Sequence, residues 1–204
     1  MINALLVVVI GYLLGSISSG VLLSKAIMKS DIRTQGSGNA GTTNMLRIHG
    51  KGMAAITFLC DILKGVIAVF VGKAMVGGEV GGVLGVLGAV LGHNYPIFFG
   101  FKGGKGIATS FGSLLFVFPL QALAAFTVFL ILVGITHYVS VGSIVAAFTL
   151  PALVLLTTPY HPIIWSIMVF LGAMVIYRHK SNIVRLLHHN ENKLDFSVFK
   201  KKTK

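Results

Sequence analysis

Apolar runs long enough to cross a lipid bilayer occupy nearly the whole chain. Ala4 to Leu23 is twenty residues long, and at ~1.5 Å per residue such a helix crosses the ~30 Å hydrocarbon core of a membrane. The mean hydropathy of +0.89 and the 11% of charged residues are typical of integral membrane proteins. We therefore predict an all-α integral membrane protein that forms one domain over residues 1–204. The further apolar runs are Met53 to Val76, Val80 to Gly92, Ile107 to Thr136, Val141 to Leu156 and Ile163 to Tyr177.

The run from Ile107 to Thr136 decides the number of helices. As one helix its thirty residues would extend for ~45 Å, which is longer than an ordinary crossing. Pro119 lies near the middle of the run and predicts two short helices instead. The count is then about seven transmembrane helices, some of them short, and a count of five helices is the alternative.

Basic residues concentrate between the apolar runs. The chain has 17 Lys and Arg against five Asp and Glu, a balance that would suggest nucleic-acid binding in a soluble protein. With the N-terminus outside, residues 25–51, 102–105 and 178–204 face the cytoplasm and hold five, two and eight of those 17 cations. This bias follows the positive-inside rule, so we predict a cytoplasmic C-terminus and no nucleic-acid partner. The terminal stretch Lys200 to Lys204 is interpreted as a contact with anionic lipid headgroups.

Glycines recur at four-residue spacing in the third run and directly before it. Small residues let helix backbones approach closely within a membrane, so we predict that this helix packs tightly against its neighbours. The glycines concerned are Gly77, Gly78, Gly81, Gly82, Gly85, Gly88 and Gly92.

The first polar cluster, "RTQGSGNAGTTNMLR" at residues 33–47, contains a G-x-G-x-x-G pattern. In dinucleotide-binding proteins this pattern joins a buried strand to a helix. Here a polar segment precedes it and an apolar span follows, so that interpretation is rejected. Glycine still allows backbone N–H groups to face a phosphate, and Arg47 suits bidentate phosphate contact. An ordinary polar turn is the alternative for this loop on its own.

Two further clusters fall on the same predicted membrane face. "FKGGKG" at residues 101–106 is Gly-rich but is not a Walker A loop, because Phe99 and Gly106 stand where that motif needs Gly and Ser/Thr. Its lysines are phosphate ligands or, alternatively, membrane anchors. In "YRHKSNIVRLLHHNE", residues 177–191, His179 and Asn182 share a helix face. Together the three clusters predict a site for phosphorylated ligands at the membrane surface.

Two ionisable residues lie inside the second apolar run. Asp61 and Lys64 are three residues apart, so they can pair on one helix face. We expect that pairing, although an ionisable residue within a span is also a candidate functional residue.

These motifs resemble those of the bacterial acyl-phosphate:glycerol-3-phosphate acyltransferases over essentially the whole chain. The second motif, G-H-x-x-P-x-F-x-x-F-K-G-G-K-G-x-A-T, is complete from Gly92 to Thr109. In the third, around H-x-x-N-I-x-R-L-x-x-G-x-E, His189 stands where the family usually has Gly, just before Glu191. The first motif, S-G-N-x-G-x-x-N-x-x-R, corresponds to Ser37, Gly38, Asn39, Gly41, Asn44 and Arg47.

The resemblance implies transfer of a fatty acyl group from acyl phosphate to the 1-hydroxyl of glycerol 3-phosphate, giving lysophosphatidic acid and phosphate. It implies seven helices in the bacterial cell membrane, motifs facing the cytoplasm, no cofactor or metal, and a soluble enzyme that forms the acyl phosphate. The implied catalytic residues are Ser37, Arg47, His179 and Asn182, with Glu191 structural. The implied substrate-binding residues are Gly38, Asn39, Gly41, Asn44, His93, Lys102, Gly103, Gly104, Lys105, Gly106, Thr109 and Arg185.

The mechanism and the function have alternatives. None of the seven His residues begins an H-x-x-x-x-D motif, so a general base would be His179, His93 or the substrate's own phosphate. We favour hydrogen bonding over acylation for Ser37. An apolar groove for the acyl chain is expected near the short helices that flank Pro119 and after Val141. A transporter of a phosphorylated metabolite is the alternative function, and a phosphatidate-binding scaffold is a third.

Overall fold

The computed structural model describes residues 1–195 and is helical throughout, with nine α-helices, two short 3₁₀ turns and no strand in that range. The predicted all-α class is confirmed. The interpretation of Lys200 to Lys204 lies outside the described residues. The helices are α1 Ile2–Gly15, α2 Ser19–Met28, α3 Thr42–Met75, α4 Gly78–Asn94, α5 Ile107–Leu114, α6 Pro119–Thr136, α7 Val139–Thr157, α8 Pro162–Arg178 and α9 Lys180–Leu187.

The first apolar run is broken, whereas the sequence predicted one continuous helix from Ala4 to Leu23. Helix α1 ends before Ser16 and α2 begins after Ser18, whose backbone is extended (φ −80°, ψ 91°). The Ile17 carbonyl at the break accepts a hydrogen bond from Lys64 Nζ at 2.9 Å. A distant side chain therefore satisfies a backbone group that the break exposes.

The first polar loop is shorter than the predicted 25–51, because α2 continues to Met28 and α3 already begins at Thr42. Gly50 has φ +79° and bends α3, so that its membrane portion follows the bend. That portion corresponds to the predicted run from Met53 to Val76. The first motif thus lies partly in a loop and partly on the first turns of a helix.

Pro119 separates two helices, as predicted, and occupies the first turn of α6, where proline is tolerated. Helix α5 has eight residues, about 12 Å, and is too short to cross a bilayer alone. Within residues 1–195, five segments are long and apolar enough to cross, or six if α8 and α9, bent by 52°, count as one. The count of seven helices therefore stays a prediction.

Helix α4 packs against α1 and α3 through its glycines, as predicted. A Cβ added at Gly85 would lie 2.1 Å from the Ala68 carbonyl oxygen, and one at Gly92 would lie 2.1 Å from that of Tyr12. Gly77 has no such neighbour, and its φ of +92° instead allows the turn before α4.

Helices α3, α5, α7 and α9 begin at the end of the bundle where α4 and α8 finish, and the three polar clusters meet there.

Candidate active site

A central cavity of about 190 Å³ brings the three sequence clusters together. Loop residues before α3, the segment before α5, and the start of α9 all contribute to its wall. The predicted site residues that line it are Ser37, Asn39, Gly41, Asn44, Arg47, His93, Lys105, Gly106, His179, Asn182 and Glu191.

Four helices start at the central cavity. The first-turn or cap residues of α3, α5, α7 and α9 line it, and none of these four N-termini has a side-chain cap. At α9, the N–H groups of His179 and Asn182 already donate to backbone carbonyls. The free N–H groups of a helix N-terminus carry partial positive charge and bind anions. The backbone alone thus makes this cavity favourable for phosphate.

The first loop is organised by Asn44, which is buried. Its Nδ2 donates to the carbonyls of Ile32, Gln35 and Asn39 at 3.0–3.2 Å. Its Oδ1 accepts from the Ser37 backbone N–H at 2.9 Å. The Asn44 amide is therefore occupied in holding the loop, and the substrate contact predicted for Asn44 stays a prediction.

Ser37, in the loop, and Arg47, on α3, are the exposed side chains of the first motif that line the cavity. The Ser37 hydroxyl makes no hydrogen bond with any described residue, so no base activates it in this structure. Arg47 Nη2 donates to the Asn192 carbonyl at 3.3 Å. Most of the guanidinium donors remain available for an anionic ligand.

The second loop carries Lys105 into the central cavity, where its ammonium donates to Asn182 Oδ1. Burial, followed by the charges of three nearby arginines, lowers the pKa of Lys105 to about 8 against the opposing effect of Glu191. Arg178 holds the loop backbone through the carbonyls of Gly104, at 2.8 Å, and Gly103, at 3.2 Å.

Glu191 joins three parts of the chain. Its carboxylate accepts from Ser140 Oγ at 3.0 Å on α7, and from Asn182 Nδ2 and Arg185 Nε, both at 2.7 Å, on α9. Burial raises the pKa of Glu191, but these hydrogen bonds outweigh it and hold the pKa below its ordinary value. The contacts support a structural role for Glu191.

His179 has a fixed ring orientation. Its Nδ1 lies 2.8 Å from the Val175 carbonyl oxygen, which can only accept, so Nδ1 carries the hydrogen. The Nε2 of the neutral ring is then an acceptor facing away from that bond. The neutral ring is thus held in one tautomer at the cavity that His179 lines.

His189 adopts φ +57°, in the left-handed region that favours glycine. Its N–H donates to the Leu186 carbonyl at 3.1 Å, and the next N–H, of Asn190, donates to that of Arg185 at 2.8 Å. The turn before Glu191 is therefore formed despite the missing glycine.

A basic cleft of about 440 Å³ adjoins the central cavity, since Ser37, Asn39 and Lys105 line both. No Asp or Glu is among the described residues that line it. Of the predicted site residues, the cleft also holds Gly38, Lys102, Gly103 and Arg185. Its further cations are Arg33, Arg178 and Lys180.

On another side, an apolar cavity of about 110 Å³ lies among α3, α5, α6, α7 and α8. Phe58, Ile107, Ala108 and Phe129 line both it and the central cavity. This is where an acyl groove was expected, next to Pro119 and after Val141. An apolar, a polar and a basic chamber thus adjoin in that order.

Two predicted substrate residues line none of these three cavities: Gly104 packs against the His93 ring, and Thr109 is fully buried beside α3. Sequence reasoning missed Ser140 and Ser143, which line the central cavity from the first turns of α7. Their only signal was two hydroxyls three residues apart in an apolar run.

The profile of the glycerol-3-phosphate acyltransferase family matches residues 5–189. The chain belongs to this family. It is therefore an enzyme, an acyltransferase, and a multi-pass membrane protein.

Relatives in the acyltransferase family match nearly the whole chain. A glycerol-3-phosphate acyltransferase of Clostridioides difficile is 45% identical over 195 residues, covering 93% of this chain and 95% of the relative. One of Thermoanaerobacter pseudethanolicus is 44% identical, covering 94% and 96%. The solved structure of PlsY (YgiH), an integral membrane glycerol 3-phosphate acyltransferase, in its glycerol 3-phosphate form has a TM-score of 0.88 at 38% identity, covering 95% and 96%. Its lysophosphatidic acid form has a TM-score of 0.85 at 38% identity, covering 96% and 98%.

Proposed function

We propose that this acyltransferase moves a fatty acyl chain from acyl phosphate to the 1-hydroxyl of glycerol 3-phosphate, with lysophosphatidic acid and inorganic phosphate as products. The observation that carries the proposal is the order of the three chambers. An apolar cavity suits the acyl tail, the central cavity suits the reacting acyl phosphate group, and the basic cleft suits the phosphate of the acceptor.

Charge neutralisation is the main task of such a site, because both substrates are anionic. Arg47, Lys105 and the free N–H groups at the N-termini of α3, α5 and α7 surround the central cavity. Fixed donors and dipoles of this kind stabilise the charge that develops on the carbonyl oxygen and on the leaving phosphate. Holding both substrates side by side supplies a further large part of the acceleration.

The transfer needs no covalent enzyme intermediate. The 1-hydroxyl oxygen attacks the acyl carbonyl carbon, the bond from that carbon to the phosphate oxygen breaks, and the electron pair leaves with the phosphate. The hydroxyl proton passes to Nε2 of His179 or to the departing phosphate. Ser37 donates a hydrogen bond to phosphate, and Asn182 positions Lys105.

The orientation in the membrane belongs to the same proposal. The described cations cluster at the end of the bundle that holds the central cavity, with Lys102, Arg178 and Arg185 all in the basic cleft. The positive-inside rule favours a cytoplasmic position for that end, with the N-terminus outside and seven helices in a bacterial cell membrane. Acyl phosphate would then come from a soluble cytoplasmic enzyme that forms it.

The donor is tested with purified protein in micelles. Palmitoyl phosphate and palmitoyl-CoA are compared as donors with glycerol 3-phosphate, and lysophosphatidic acid is measured by mass spectrometry. We expect product and stoichiometric phosphate only with palmitoyl phosphate. Product from palmitoyl-CoA alone would refute the donor assignment, and movement of glycerol 3-phosphate across vesicles without product would favour a transporter.

Arg47→Ala and Ser37→Ala test the first motif. Each should reduce kcat by ~10²–10³, the usual loss when a donor to the transition state is removed. Membrane insertion and size-exclusion profile should match the wild type, since both side chains are exposed to the cavity. Near-normal kcat in both variants would contradict the assignment.

A further inference from the structure

Asp61 is a buried carboxylate that the reaction above does not use. It is 1% exposed, and a single oxygen, Oδ1, lies 2.8 Å from Lys64 Nζ, 3.1 Å from Ser19 Oγ and 3.5 Å from His93 Nδ1. The expected pairing of Asp61 with Lys64 is confirmed. Asp61 also contacts Ser19 on α2 and His93 on α4. An ion pair formed only to satisfy two residues of α3 would not need these contacts with other helices.

A negative charge at this position needs an explanation. Asp61 and His93 both line the central cavity, whose other features attract anions. Burying an ion pair costs desolvation energy that its mutual attraction barely repays, and an apolar pair of similar size is often as stable. Stability alone is thus a weak reason for a carboxylate beside a phosphate site.

His93 links Asp61 to the second loop. The His93 carbonyl accepts the Gly104 N–H at 3.1 Å. The ring itself fills the space beside Gly104, because a Cβ there would lie 2.0 Å from Nε2. A Cβ on Gly103 would lie 2.0 Å from the His93 carbonyl oxygen. The loop backbone therefore follows the surface of His93, and Lys105 comes directly after it.

We propose that Asp61 is a positioning residue for the acceptor: by holding the His93 ring, it fixes the backbone of residues 103–104 and thereby the position of Lys105. Lys64 balances the charge of Asp61, so that the carboxylate can orient His93 without repelling substrate phosphate. This inference rests on the proposed function for the identity of the acceptor, glycerol 3-phosphate.

The decisive variant removes both charges at once, Asp61→Leu with Lys64→Met. Because no buried charge is left unpaired, it should still insert, with a lower Tm because the Ile17 carbonyl loses its hydrogen bond from Lys64. We expect the KM for glycerol 3-phosphate to rise about tenfold, because the His93 ring loses its 3.5 Å contact with a buried carboxylate. The KM for palmitoyl phosphate and kcat should change by less than about threefold.

Two further variants complete the experiment. Lys73→Met is the matched control, since Lys73 also lies in α3 and donates to a backbone carbonyl, that of Phe116, but lines none of the cavities. It should leave both KM values unchanged. Ser19→Ala removes only one hydrogen bond to Asp61 and should raise the acceptor KM about threefold.

Binding of glycerol 3-phosphate without donor is measured in parallel by calorimetry, which separates this inference from the choice of donor. If the wild type does not bind glycerol 3-phosphate, the acceptor assignment fails. Binding of inorganic phosphate to the wild type and the variants then tests the position of the loop at residues 103–105. A double variant with wild-type acceptor KM and binding would overturn the inference, as would equal losses for both substrates. If the double variant does not insert, an unchanged acceptor KM in Ser19→Ala overturns it.

Discussion

At the scale of single residues, Lys105 determines how the site responds to pH. Its ammonium is charged below its pKa of about 8 and loses that charge above it. Substrate phosphates gain their second negative charge near pH ~6. Lys105 therefore attracts a doubly charged substrate phosphate most strongly between pH ~6 and a pH of about 8.

We expect the KM for glycerol 3-phosphate to rise as the pH increases above about 8, when Lys105 loses its proton. Lys105→Arg should remove this rise, because a guanidinium stays charged. Initial rates at saturating donor, measured from pH 6 to 9.5, check the prediction. Identical profiles for the wild type and the variant would exclude Lys105 as the titrating group.

His189 stores conformational strain in the turn before Glu191. A side chain at φ +57° is less stable than glycine there, although glycine loses more entropy on folding. His189→Gly should raise the free energy of unfolding by up to about 1 kcal/mol, visible as a higher Tm in detergent. The neighbouring His188, at φ −92°, is the control, since His188→Gly should lower the Tm. A lower Tm for both variants would refute the strain.

At the scale of elements, the apolar runs and Pro119 predicted the helices because their length and the missing N–H act locally. The break between α1 and α2 was not predictable in this way. Its free carbonyl, on Ile17, is satisfied by Lys64, 47 residues away. Likewise the first motif predicted a phosphate-binding loop. Only the fold shows that the Asn44 amide donates hydrogen bonds to the backbone of this loop and holds its shape.

The second loop is expected to be sensitive to added volume. In Gly103→Ala the new Cβ would meet the His93 carbonyl oxygen at 2.0 Å, so the loop must shift. The KM for glycerol 3-phosphate should rise between about tenfold and a hundredfold, because small displacements of a positioning group are costly. Gly134→Ala, where an added Cβ has no neighbour within 4 Å, should behave like the wild type. Equal kinetics in both variants would contradict this role of the loop.

At the scale of the whole molecule, the motifs predicted most of the central cavity but not the apolar one. Motif residues carry charge, glycine or amide groups that stand out in an apolar chain. The apolar cavity is lined instead by ordinary membrane-helix residues from five helices, such as Ala122, Leu150 and Met168. Nothing in their spacing distinguishes them from lipid-facing or core positions, so the sequence indicated the neighbourhood of the groove through Pro119 but not the residues that line it.

The central claim is that donor and acceptor occupy adjoining chambers together and react directly. Initial rates measured over a grid of palmitoyl phosphate and glycerol 3-phosphate concentrations test it most directly. Direct transfer predicts double-reciprocal lines that intersect, with no phosphate released before the acceptor is added. Parallel lines and a burst of phosphate without acceptor would instead reveal an acyl-enzyme intermediate, and would contradict the account.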